Sequence, residues 1–336
     1  MKICIARLDK MGDMILTLPV IKSIKINNPN FTIHVMCSRE NSKVLKNIEY
    51  IDKITEINSN NIYQKLFSLR KNVYDIYINL SPTKISYLLC FFSKSAKKAN
   101  MVFLSRYKKK LFSKSLIILL SKFFCNYTHV VNRFQILKDN KEIHQTKMIF
   151  ELINKCNIKN SQDVTIDIDL PRKKLNFLEN KFKIVTIHLN SKWINKHYDE
   201  KKFFELLHLI KKKDYYCFLT TDNSSRNHFI QIYKEFENIN NDNFESILNL
   251  ENQITILDKL KFEHWVKIIY SSDFIITPEC GCSHISAACN VPVSIIYDSG
   301  NLPHAIHKEY CPWKSKHNKL IFGENNLNNK LIDLLN

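Results

Sequence analysis

Glycine is almost missing from this chain, which has four in 336 residues. A sequence that uses it so rarely keeps it mainly where the backbone needs positive φ or must come close to a ligand. Long apolar runs are missing too. The longest unbroken one in the basic part of the chain, Leu116 to Leu120, is far too short to cross a bilayer, and Met1 leads straight into a strand pattern rather than a signal peptide. The ten cysteines are scattered singly apart from Cys280 and Cys282, a usage that fits a reducing compartment and excludes a disulfide framework. Cys280, Cys282, His284 and Cys289 do not make a zinc set, because their one-residue gaps are too short and no second cysteine pair accompanies them.

Acidic residues are scarce on one side only. Residues 1–160 hold 28 Lys and Arg against 10 Asp and Glu, whereas residues 161–336 hold 22 against 22, so the first half carries the whole net charge of +18. A lysine-rich composition in general does not explain a neutral second half. The asymmetry implies that the first half faces something anionic: nucleic acid, an acidic membrane surface, or a phosphorylated substrate carried on that membrane.

The side chains able to do chemistry are densest in two short clusters, Arg7-Leu-Asp9-Lys-Met-Gly12-Asp13 and Thr277-Pro-Glu279-Cys280-Gly281-Cys282-Ser283-His284. Each holds one of the four glycines, follows an apolar run typical of a buried strand, and precedes a helical pattern. Strand-loop-helix corners of this kind bind ligands at the carboxyl edge of a parallel sheet.

Strands alternate with helices along the whole chain, which predicts an α/β fold of two parallel-sheet domains with right-handed crossovers. The first domain is expected over 1–160, a connection over 161–182 and the second domain over 183–336. Expected strands are Ile3 to Ala6, Thr32 to Cys37, Lys53 to Ile57 and Ile76 to Leu80, then Ile184 to His188, Tyr216 to Thr220, Glu245 to Leu248, Phe274 to Thr277 and Val293 to Tyr297. Helices are expected over Asp13 to Ile26, Ile62 to Lys71, Val130 to Cys156 and Ser283 to Cys289, among others. Asp167-Ile-Asp169 has the form of a transferase metal motif, but ahead of Pro171 it reads as an alternating surface strand. Two such domains facing each other would bring the two clusters together across a cleft.

The opening Ile-Ala-Arg7-Leu-Asp9-Lys-Met-Gly12-Asp13-Met-Ile-Leu-Thr17-Leu-Pro19, the segment Ile-His188-Leu-Asn-Ser191 ahead of Lys196-His-Tyr, and Thr277 to His284 with the following Ile-Ser-Ala-Ala resemble glycosyltransferase family 9, the ADP-heptose:lipopolysaccharide heptosyltransferases. The resemblance runs through the chain in order. It implies a GT-B fold of two Rossmann-like domains and an inverting reaction that needs no metal or other cofactor. Acceptor would bind the first domain and nucleotide-sugar the second. The acceptor would be a phosphorylated lipid-linked oligosaccharide, which places the protein in the cytoplasm at the inner membrane. Nucleic acid is not an expected partner, since no motif or aromatic-basic interleaving supports it.

Asp13 is the candidate general base, because inverting transfer needs one carboxylate to take the acceptor proton. A helix cap is the structural alternative for an Asp at such a corner. Arg7, Asp9 and Gly12 complete that corner, Asp9 as an orienter of Arg7 or a substrate ligand. In the second cluster Gly281 lets the main chain approach a diphosphate, the amides of Ser283 and His284 are placed to stabilise its charge, and Cys280 and Cys282 belong to the same loop. The family usually carries Asp where this chain has Glu279, which leaves the donor sugar open to another nucleotide-sugar. Lys196 matches the family lysine that reaches the donor phosphate, and Lys192 competes for that role in a loop that lacks the family's Pro-Gly. Asp222 follows a strand where a ribose hydroxyl could bind.

The basic stretch Lys94 to Lys122, with Lys108-Lys-Lys ahead of apolar residues, fits either a segment lying on an anionic membrane or a helix buried behind a phosphate-binding loop. A noncatalytic module for anionic polymer would account for the charge but not for Asp13 and the Gly281 corner.

Overall fold

The computed structural model describes residues 1–58, 64, 71–104, 111–139, 141, 143–171, 173–175, 183–221, 225–249, 252–298 and 303–335. The chain divides into two compact units, Met1–Asp169 and Leu170–Asn336.

The first unit is a six-stranded sheet of β1 (Lys2–Arg7), β2 (Thr32–Cys37), β3 (Lys53–Glu56), β4 (Tyr74–Asn79), β5 (Ser95–Phe103) and β6 (Tyr127–Val131). Its order is β3-β2-β1-β4-β5-β6 and every pairing is parallel. Covered on both faces by crossover helices, such strands read as unbroken apolar runs, and β1 is buried from Ile3 to Arg7. Cys4, Ala6, Met36, Tyr77, Leu89 and Cys90 pack one side of it.

The second unit has seven strands: β7 (Ile184–Leu189), β8 (Tyr216–Thr221), β9 (Glu237–Ile239), β10 (Ile254–Leu257), β11 (Phe274–Pro278), β12 (Val293–Tyr297) and β13 (Asn318–Ile321). They lie in the order β13-β12-β11-β7-β8-β10-β9, again all parallel.

Strand order reverses at two places, between β1 and β4 in the first sheet and between β7 and β11 in the second. Crossovers leave such a switch point toward opposite faces, so the loops at the carboxyl ends diverge and open a crevice. Both sequence clusters sit at these points.

Several expectations change. Glu245 to Leu248 is not a strand but part of a 3-10 segment, Asn241–Asn249, because the pairing edge of β8 is taken by β10. The expected helix Val130 to Cys156 begins as the end of β6 and continues as two helices, Arg133–Lys138 and Gln145–Lys155. The first-corner helix starts at Met11 and the second at Gly281, two residues ahead of expectation in each case. The expected helix Ile62 to Lys71 lies almost wholly outside the described residues.

Asp167-Ile-Asp169 forms no strand. Its alternation is real, with Ile166 and Ile168 buried, but Asp167 pairs with Lys22 at 2.8 Å and Asp169 accepts from Asn47, so side chains rather than a ladder hold the segment to the first unit.

Candidate active site

The first corner is organised by one buried guanidinium. Arg7 ends β1 with its side chain 1% exposed, and its Nε meets Asp9 Oδ1 at 2.8 Å while Nη2 meets Asp13 Oδ1 at 2.9 Å. Nη1 donates to the carbonyl of Leu80 at 2.8 Å. With its amide oxygen toward the guanidinium, Gln145 accepts from Nη2 at 3.1 Å and from Nη1 at 3.3 Å. The planar fork has a fixed donor geometry, so these acceptors lock both carboxylates in place. The backbone is pinned as well: Asn41 donates to the Arg7 carbonyl at 3.0 Å, and the Leu8 amide donates to Ser81 Oγ at 2.6 Å.

Asp13 is not a helix cap. Lys10 occupies the N-cap position and no side chain caps that end, so Asp13 stands in the first turn of Met11–Ile15 with its carboxylate turned back to Arg7. A first-turn acid is favoured by the helix dipole. Asp13 stays 13% exposed against 9% for Asp9, which leaves Asp13 the more accessible of the two. Gly12, also in this turn, does not have positive φ. Among the described glycines that conformation belongs to Gly323, where a side chain would press on the His197 ring.

At the second corner β11 runs into helix Gly281–Ala288, with Cys280 as an extended N-cap that makes no side-chain cap bond. The Glu279 amide is anchored to the Ile296 carbonyl at 3.1 Å and Ser283 Oγ donates to the Cys280 carbonyl at 2.7 Å. Because the helix begins at Gly281, the amides without helical partners fall on Gly281 and Cys282 rather than on Ser283 and His284. The Ser283 amide bonds back to Cys280, and the side chains of both Ser283 and His284 are buried. From across the switch point, in the loop after β7, Lys192 Nζ reaches the Glu279 carboxylate at 2.5 Å and donates to its carbonyl oxygen. A cation, two first-turn amides and the acid that the cation engages thus share one edge of the second sheet. That set suits a diphosphate.

A family model described as glycosyltransferase family 9 (heptosyltransferase) matches residues 64–330. The chain belongs to this family. Lipopolysaccharide heptosyltransferase 1 of Campylobacter coli is 26% identical over 312 residues, covering 88% of this chain and 84% of that protein. The E. coli heptosyltransferase WaaC with ADP matches at a TM-score of 0.71 and 14% identity, over 100% of this chain and 99% of WaaC. E. coli ADP-heptose lps heptosyltransferase II matches at 0.72 and 13%, over 100% and 97%. At such identities the structures speak to fold, which is GT-B. As a family 9 glycosyltransferase the protein is an enzyme, and the reading as a noncatalytic polymer-binding module is set aside.

Of the two lysines expected as candidates for a donor phosphate, Lys192 is the one at the Glu279 corner. Lys196 is exposed and lines a separate cavity of about 500 Å³ with Tyr198, Lys202, Glu324 and Asn328. Asp222 lies outside the described residues. Asp258, which sequence reasoning passed over, is a buried acid just beyond β10. It accepts from Thr221 Oγ1 at 2.8 Å and from the Tyr233 hydroxyl at 3.2 Å, at the carboxyl edge beside β8. Ser81 and Gln145 also escaped notice, since nothing in their local sequence signals that they meet Arg7 or Asp9 in space. Among the described residues no three His, Cys, Asp or Glu side chains gather in a metal-holding group, and Cys280, Cys282 and Cys289 carry thiols that burial pushes up.

Asp9 titrates unusually. Burial pushes its carboxyl up to about 6, outweighing the Arg7 guanidinium, which is shared with Asp13, and the Asp13 charge raises it further. A carboxyl whose folded pKa lies above its unfolded value binds more protons in the folded state. Its contribution to stability is therefore present at low pH and lost as pH rises from about 4 through about 6. The difference in unfolding free energy between the wild type and Asp9→Asn should change by about 2–3 kcal/mol between pH 4 and pH 7, with the wild type relatively stronger in acid. Urea titrations at four pH values measure this, and a constant difference would show that Asp9 is not held in a proton-binding site.

Proposed function

We propose that this family 9 enzyme is an inverting, metal-independent transferase that moves heptose from ADP-L-glycero-D-manno-heptose to the inner core of lipopolysaccharide or lipooligosaccharide. The acceptor hydroxyl attacks the anomeric carbon, its proton passes to Asp13, and the bond from that carbon to the β-phosphate oxygen breaks to release ADP. Arg7 positions Asp13 for this task, and Lys192 with the Gly281 and Cys282 amides stabilises charge on the departing diphosphate. The observation that carries the reading is the Arg7 fork, which aims a partly accessible carboxylate from the switch point of the first sheet. The named relatives, a lipopolysaccharide heptosyltransferase 1 and an ADP-heptose lps heptosyltransferase II, support the donor and acceptor classes.

A second donor is favoured by one feature. Glu279 is already engaged by Lys192, so the acid that would meet sugar hydroxyls is held by a longer arm than the family's Asp. The test is nucleotide release from a panel of ADP- and UDP-sugars, each with truncated core acceptors. Release of ADP that requires both ADP-heptose and a core acceptor is the expected result. Acceptor-dependent release from a different nucleotide-sugar alone would replace the proposed donor.

A further inference from the structure

We propose that the outer face of helices Lys84–Phe92 and Leu111–Phe124 in the first unit is a docking surface for an anionic lipid bilayer. The second helix is turned apolar side out. Ser121 faces the sheet, where its hydroxyl accepts from Asn100 at 2.7 Å, while Leu116, Leu119 and Phe123 point to solvent, Leu119 65% and Phe123 81% exposed. These three recur at a spacing of three and four residues and form one stripe. Leu88 and Phe92 expose a matching pair on the neighbouring helix. The two helices touch through Phe91 and Phe124, whose rings stack at 4.9 Å, and Phe123 meets Phe124 edge-on at 5.0 Å. A contiguous patch of this kind marks an interaction site rather than scattered surface leucines.

Charge identifies the occupant. Between Asp75 and Asp139 there is no acidic residue, and the same segment holds 12 Lys and Arg. Lys94 and Lys122 are exposed at the apolar stripe, while Lys98 is turned inward to the Phe91 carbonyl and Lys97 points to the opposite face of β5, toward Cys156. Apolar side chains at the level of the acyl chains, with lysines at the headgroups, is the arrangement of an interfacial helix. The 14-residue helix is about 21 Å long, shorter than the roughly 30 Å hydrocarbon core, so it lies on the bilayer. A second copy of the chain would oppose two acid-free, lysine-rich faces, and nucleic acid would leave Leu88, Leu116 and Leu119 without an apolar partner.

The surface stands independently of the proposed donor and acceptor, because its test contains no sugar substrate. The full-length protein is sedimented with phosphatidylcholine vesicles with and without a third of phosphatidylglycerol. Binding is expected only to the anionic vesicles. The double variant Leu119→Glu/Phe123→Glu should bind them at least about tenfold more weakly, with its far-UV circular dichroism and urea midpoint unchanged, since both side chains already face water. The variant Lys94→Glu/Lys122→Glu should bind more weakly in low salt, with the difference shrinking as salt rises. Wild-type protein that ignores anionic vesicles, or a Leu119→Glu/Phe123→Glu variant that binds as well as wild type, would overturn the proposal. So would a wild-type dimer that the same variant converts to monomer, which would assign the face to self-association.

Discussion

Replacing Asp13 by Asn should lower kcat for sugar transfer by about 10²- to 10⁴-fold, while nucleotide affinity stays within about twofold, because a positioned general base contributes in that range and the donor corner is untouched. The substitution keeps the shape of the side chain and one acceptor oxygen for Arg7 Nη2, which lies 2.9 Å from the present carboxylate. It also keeps the Thr17 hydroxyl bond to the residue 13 carbonyl, so the first turn should stay folded. What is lost is the capacity to take a proton, along with a small favourable interaction with the helix dipole of about 0.3–1 kcal/mol. Single-turnover rates with saturating donor separate chemistry from binding. A variant whose kcat holds while the acceptor KM rises would make Asp13 an acceptor ligand instead of a base.

The two corners were legible from sequence because glycine and titratable residues gather where an apolar run meets a helical pattern, and β1 and β11 fell where those runs lie. Five strands escaped, β5, β6, β9, β10 and β13, and the first three of them have local reasons. β5 opens as Ser95-Ala-Lys-Lys, polar where its first residues are exposed, and becomes apolar only from Ala99 inward. β6 is five residues abutting a helical pattern, so its Val130 and Val131 read as the start of that helix. β9 is a three-residue edge strand, below the length at which alternation can be seen. The chemistry of the site was less visible than its location. Arg7 and Asp9 are near neighbours in sequence, but Leu80, Ser81 and Gln145 reach them only through the sheet order and the packing of the helix Gln145–Lys155. Helix starts two residues earlier than expected moved Asp13 out of the cap and transferred the amides without helical partners to Gly281 and Cys282.

Replacing Arg7 by Met should be the most damaging change to stability, costing about 3–5 kcal/mol at pH 7.5, the range for removing one partner of a buried charge cluster. Methionine nearly fills the volume of the arginine stem, so the loss is electrostatic rather than a cavity. Asp9 and Asp13 would face each other without a counter-charge, and the Leu80 carbonyl would lose its donor. Both consequences give the effect a pH signature. Burial already raises Asp9 to about 6 with the guanidinium present, and without it Asp9 is pushed further up by desolvation and the Asp13 charge. Protonation then relieves the unpaired charge, so the cost should shrink as pH falls toward 5, leaving mainly the unsatisfied carbonyl. Urea unfolding at pH 5 and pH 7.5 tests this, and an equal loss at both would mean that packing around Arg7, not its charge, supports the corner. Arg7→Lys sharpens the test. It restores a cation but not the fork, so it should recover much of the stability while leaving Asp13 poorly aimed. Stability regained without activity would separate the guanidinium's two roles, neutralising a buried acid pair and aiming one member of it at the acceptor.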